Sequence, residues 1–179
     1  GETLSAVSRR SAAIEALQRG IDVAKRTVTR RARVEAALAA QSLARLHLDA
    51  GEAAEAGSVV EEGLGLRPED PALLLLRGRA WIDLGRLEEA SSLLSSLALE
   101  HPERFFDPDI AYDLRIFSEW PHALGGLAAF RLGRFEVAAE CYRRAAAAAP
   151  REEQYRVKAR LAAARAGTAG IGLKDGPDA

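Results

Sequence analysis

Two stretches that each open on a glycine and close on a proline, Gly51 to Pro68 and Gly85 to Pro102, start 34 residues apart, and a third, Gly133 to Pro150, has the same form. Five residues after each glycine stands an alanine, Ala56, Ala90 or Ala138, and seven residues before it stands Ala44, Gly78 or Gly126. All six positions are small. Two helices approach closely only where the facing side chains are no larger than a methyl, and a glycine between them supplies a left-handed turn. Self-similarity at this period predicts a stack of helix pairs.

The pattern resembles the tetratricopeptide repeat family over three motifs, 37–70, 71–104 and 119–152. Along the second motif Leu74, Gly78, Trp81, Gly85, Ala90, Leu94 and Pro102 stand where the family has large, small, aromatic, turn, small, large and stop residues. The third keeps Gly126, Gly133, Phe135, Ala138, Tyr142, Ala145 and Pro150, but has His122 and Ala129 where bulky apolar residues are usual. The first departs most, with His47 at the aromatic position and Ala53 where the third has Phe135. The resemblance implies an all-α fold, a right-handed stack of antiparallel helix pairs forming an α-solenoid. A scaffold alone does not specify an activity.

Around the motifs the chain divides further. Residues 1–36 are expected to form an N-terminal helical segment, since Leu4, Val7, Ile14, Leu17, Ile21, Ala24 and Val28 mostly recur at steps of three and four. Such a seam folds back on the first repeat or meets a second chain, so self-association through it is an expectation to test. Asp70 and Pro71 read as a cap and a first-turn residue. Between the second and third glycines the spacing grows to 48, so 14 residues, 105–118, are inserted. Asp107 and Pro108 repeat the cap signal, and Ile110, Leu114 and Phe117 follow at helical spacing, which predicts one short amphipathic helix. Phe105, Phe106, Tyr112, Phe117 and Trp120 gather half of the aromatic residues there, suited to anchoring a partner or to packing on the stack. In 153–166, Tyr155, Ala159 and Ala162 share one side, as a capping helix needs. The tail, 167–179, is rich in glycine, without periodicity, and is expected to be mobile.

Charge is nearly balanced overall at −1, which argues against general nucleic-acid affinity, but it is unevenly spread. Residues 1–36 carry +4, 37–117 carry −8 and 118–179 carry +3. An acidic middle between basic ends suits steering a basic partner to the centre, and solvated helix faces give the same sums. Arg30, Arg31 and Arg33 form a basic cluster of the kind that binds phosphates, but lack the aromatic platform of a nucleic-acid site. The single cysteine, Cys141, leaves no intramolecular disulfide. No signal-like opening and no apolar run of membrane-spanning length appears, so a cytoplasmic location without membrane contact is expected. A chain that opens on Gly1 and contains no methionine is expected to carry the scar of a cleaved tag or to be a piece of something longer.

The residues do not spell a catalytic site. His47, His101 and His122 are scattered without a metal-ligand or nucleophile motif, Gly63 and Gly65 are too few for a phosphate loop, and Glu61–Glu62 and Glu88–Glu89 are neighbours that point apart. No cofactor and no metal are expected. The resemblance implies instead a groove lined by the first helix of each pair: Gln41, Arg45 and Asp49, then Leu75, Arg79, Ile82 and Asp83, then Ala123, Leu127, Phe130 and Arg131. Arg45, Arg79 and Arg131 suit an acidic or phosphorylated segment, and the apolar members suit its side chains. Relatives that clamp the carboxylate terminus of heat-shock chaperones use lysine and asparagine, whereas this chain has no asparagine. The reading is a non-catalytic adaptor for a peptide or helical segment. The alternative is a repeat domain appended to an enzyme such as a glycosyltransferase, serving recruitment or oligomerisation.

Overall fold

The computed structural model describes residues 2–171 except 28, 106, 108 and 109, and side chains from 9 to 168 apart from those four. The side chains of Leu4 and Val7, together with Val28, Phe106, Pro108 and the tail from 172, lie outside the described residues. The helices are α1 (Glu2–Arg26), α2 (Arg30–Asp49), α3 (Ala53–Leu66), α4 (Pro71–Asp83), α5 (Leu87–Leu97), α6 (Glu119–Arg131), α7 (Phe135–Ala148) and α8 (Glu153–Ile171). They fall into two units, one of Gly1–Gly85 and His101–Tyr112, the other of Arg86–Glu100 and Asp113–Ala179.

Gly51, Gly85 and Gly133 have φ of 77°, 78° and 75°, the left-handed conformation that side-chain-bearing residues rarely adopt. At the first of these turns the Glu52 amide donates to His47 O at 2.9 Å, and at the third the Arg134 amide donates to Ala129 O at 2.9 Å. These bonds satisfy the carbonyls a helix end leaves open, so Gly51 and Gly133 each stop one helix and aim the next back along it.

In the first unit α1 packs on α2, α2 on α3, and α4 on both α2 and α3. Ile21, Ala37, Ala40, Leu43, Ala44, Ala56, Val60, Leu73 and Ala80 form one buried cluster, and Ile14 and Leu17 pack against it. Over Ile14, Leu17 and Ile21 the α1 seam therefore packs on its own unit. Helix α2 starts at Arg30, earlier than 37, because Thr29 caps it by accepting from the Ala32 amide at 3.2 Å. Ala44 and Ala56 are both fully buried within this cluster. Among the described glycines the tightest surroundings are those of Gly63 in α3. A Cβ there would stand 2.8 Å from Leu73 Cδ1 and 2.9 Å from Ala40 Cβ.

In the second unit α5, α6, α7 and α8 pack each on the next. Gly126 faces a ring rather than a second small residue at its nearest contacts, since a Cβ there would meet Tyr142 Cδ1 and Cε1 at 3.0 Å. Ala129, Ala138, Ala139, Tyr142, Ala145, Tyr155, Ala159 and Ala162 make its core. Tyr155, Ala159 and Ala162 are the side of α8 laid on α7, and Val157 and Leu161 are exposed. Helix α8 continues past 166 to Ile171.

The insert departs from the single helix that its apolar spacing predicts. A 3-10 turn at Pro102–Phe105 leads into it, and its described residues contain a second at Leu114–Phe117 and an antiparallel bridge between Asp107 and Ile110. The physical reason lies in its polar groups. Asp107 is committed to two arginines of the first unit, as described below, and Asp113 caps a turn of four residues by accepting from the Arg115 amide at 3.0 Å.

Candidate functional site

The residues expected to face a partner do not all reach the surface. Gln41 is 6% exposed, Leu75 8% and Ile82 1%, so these three belong to the interior and present nothing for capture. In the first unit Arg45, Asp49 and Asp83 are exposed and Arg79 is partly so, with Arg79 Nη2 donating to Asp49 Oδ1 at 3.3 Å. In the second unit Ala123, Leu127 and Phe130 are half-buried and Arg131 is exposed. Phe130 meets Phe135 edge to face with ring centres 5.2 Å apart, which fixes the rotamer it offers.

Gln41 is buried for a reason that sequence did not reveal. Asp70 caps α4, its Oδ1 accepting from the Ala72 and Leu73 amides at 3.1 Å each, and the same oxygen accepts from Gln41 Nε2 at 3.1 Å. Its Oδ2 accepts the Tyr112 hydroxyl at 2.8 Å, and Arg67 Nε lies 3.5 Å away. Burial first and then the Asp70 charge push the Tyr112 hydroxyl up to about 12. Asp107 takes Arg67 Nη1 at 3.0 Å and Arg30 Nη2 at 2.7 Å. The described residues of 101–112 thus form a strap held on the first unit by Asp70, Arg67 and Arg30. The cap was legible from Asp70–Pro71, but its distant donors were not, because no local spacing links 70 to 112.

The histidines have structural partners or surroundings. His47 Nδ1 is 2.7 Å from Glu52 Oε2, and Arg10 donates to that same oxygen at 2.5 Å. The Arg10 bond foremost, then His47, holds the Glu52 carboxyl below its usual range. His101 is exposed. His122 lies with Cys141, Arg144, Val137 and Leu99 around a groove of about 470 Å³ in the second unit. Burial, with Arg144 behind it, lowers the His122 imidazole, and burial raises the Cys141 thiol. Those directions favour a neutral thiol, not the thiolate that attacks or ligates. Among the described residues no three His, Cys, Asp or Glu side chains are grouped to hold a metal ion, and no helix is long and apolar enough to cross a membrane.

Sequence models described as tetratricopeptide repeat match residues 47–112 and 123–152, together just over half of the chain. The NMR structure of the first TPR domain of the human RPAP3 protein is similar at a TM-score of 0.59, covering 74% of this chain and 93% of that one, with 20% identity. The likeness is one of fold. No curated protein matches the sequence.

Proposed function

Because this chain belongs to the tetratricopeptide repeat family, whose domains mediate contacts between proteins, we propose that it is a non-catalytic interaction module. Its first helices hold an extended or helical segment of another protein. The observation that carries this reading is the mixed character of the first-helix residues left outside the core. Arg45, Asp49, Arg79 and Asp83 in the first unit are charged, whereas Leu127 and Phe130 in the second are apolar beside Arg131. Charged groups fix register and apolar ones contribute affinity, the division of labour in peptide recognition. The N-terminal seam is not part of the proposal. Ile21 is fully buried and Ile14 and Leu17 pack against the same core, so these three seam residues are used within the chain.

The test is charge reversal of Arg45→Glu, Arg79→Glu and Arg131→Glu together, with Arg143→Glu and Arg160→Glu on α7 and α8 as the control. Capture of partner proteins from native lysate is expected to fall tenfold or more in the triple variant and to persist in the control. Equal capture by both would remove the first helices from the reading.

A further inference from the structure

The turn from α1 to α2 and the junction from α3 to α4 concentrate positive charge around one carboxylate. Arg30 donates to one oxygen of Asp107 at 2.7 Å and Arg67 to the other at 3.0 Å. Two guanidinium groups on opposite oxygens make a receptor for a single carboxylate. The Asp107 side chain is only 9% exposed, whereas that of Arg30 is 60% exposed, so the receptor reaches outward past the group that fills it. The same unit holds a cleft of about 330 Å³ lined by residues that include Lys25, Thr27, Arg33 and Pro68. Its lining adjoins the two arginines along the chain. Arg33 is one turn along α2 from Arg30, on the same face, and Pro68 follows Arg67 in the chain. Arg33 is exposed and forms no ion pair among the described residues, and Lys25 Nζ donates to Glu62 at 2.7 Å.

We propose that this basic surface is a docking site for an acidic peptide segment, occupied within the chain by Asp107 of the strap. One carboxylate of the incoming segment takes the place of Asp107 on Arg30 and Arg67, and its neighbours run into the cleft toward Arg33 and Lys25. The tether gives Asp107 a high effective concentration, so a lone anion competes poorly. A peptide with several carboxylates gains the further pairs that Asp107 cannot make. The site is separate from Arg45, Arg79 and Arg131, and neither test depends on the other.

The probe is fluorescently labelled hexaglutamate on the full chain at low salt. Asp107→Ala is expected to bind it at least tenfold more tightly than the unsubstituted protein, and Arg33→Ala added to Asp107→Ala to weaken it again. Equal binding with and without Asp107→Ala overturns the proposal. A measurement without substitution stands beside it: saturating hexaglutamate is expected to speed hydrogen exchange of the amides in 101–112 severalfold. Unchanged exchange at saturation overturns the proposal even if Asp107→Ala fails to fold. If inorganic phosphate binds Asp107→Ala as tightly as hexaglutamate does, and Arg33→Ala has no effect, the site accepts a single anion and the peptide reading fails.

Discussion

Each unit buries a carboxylate under a tyrosine hydroxyl, and the two carboxylates differ in how much hangs on them. In the first unit Asp70 takes Tyr112 at 2.8 Å, Gln41 at 3.1 Å and the amides of Ala72 and Leu73, so one side chain joins α2, the start of α4 and the strap. In the second, Glu119 is 7% exposed and takes Tyr155 at 2.7 Å, which joins the first turn of α6 to α8. A carboxylate there also meets the positive end of the α6 dipole. The comparison teaches that burying an acid and recruiting it are separate matters. Asp70 is a junction for several elements, Glu119 a rivet between two.

The largest effect expected is from Asp70→Ala. It removes the cap and leaves the buried amide of Gln41 and the half-buried hydroxyl of Tyr112 without their acceptor, at a cost of about 3–5 kcal/mol. Tyr155→Phe, which withdraws one donor from Glu119, is expected to cost about 1–3 kcal/mol. Urea unfolding of both variants checks the order, and equal losses would erase the distinction between junction and rivet.

A second substitution pair probes packing instead of polarity. Gly63→Ala forces a methyl to within 2.9 Å of Ala40 Cβ and should destabilise the first unit by about 1–3 kcal/mol, the usual cost of overpacking. Gly57→Ala in the same helix meets nothing within 4 Å and should stabilise by up to about 1 kcal/mol through helix propensity. Opposite signs in thermal unfolding would show that closeness at 63, not helix content, sets the response.

The smallest effect is alkaline. Because the folded Tyr112 hydroxyl is raised to about 12, its stabilising contribution is complete below the ordinary value near 10 and is lost as pH rises through about 12. The thermal midpoint should therefore fall across that window more steeply in the unsubstituted protein than in Tyr112→Phe. Parallel pH profiles would mean that the Tyr112–Asp70 bond contributes little to holding the strap.

The legible part of the fold was whatever local chain chemistry decides. Gly51, Gly85 and Gly133 announced left-handed turns because little else fits them, and Asp70–Pro71 announced a helix start. The apolar side of α8 showed in Tyr155, Ala159 and Ala162. What stayed hidden depends on contacts between residues far apart in sequence. Ile110, Leu114 and Phe117 have helical spacing, yet the insert is shaped by where Asp107 and Tyr112 find donors and acceptors. Gln41 looked like a groove residue because its helix position matched, and only the carboxylate of Asp70 explains why it points inward. Gly63 looked like a failed phosphate loop, and its use became visible only with Leu73 and Ala40 beside it.

The chain leaves its first unit at Gly85, builds α5 in the second, and comes back as the strap before leaving again. Repeat arrays usually shrink and grow by whole motifs, since each motif answers only to its neighbours. This one does not divide that way. A fragment ending at Gly85 would keep α1 to α4 and still lack Asp107 and Tyr112, so Arg30, Arg67 and Asp70 would each lose a partner that only the later chain supplies.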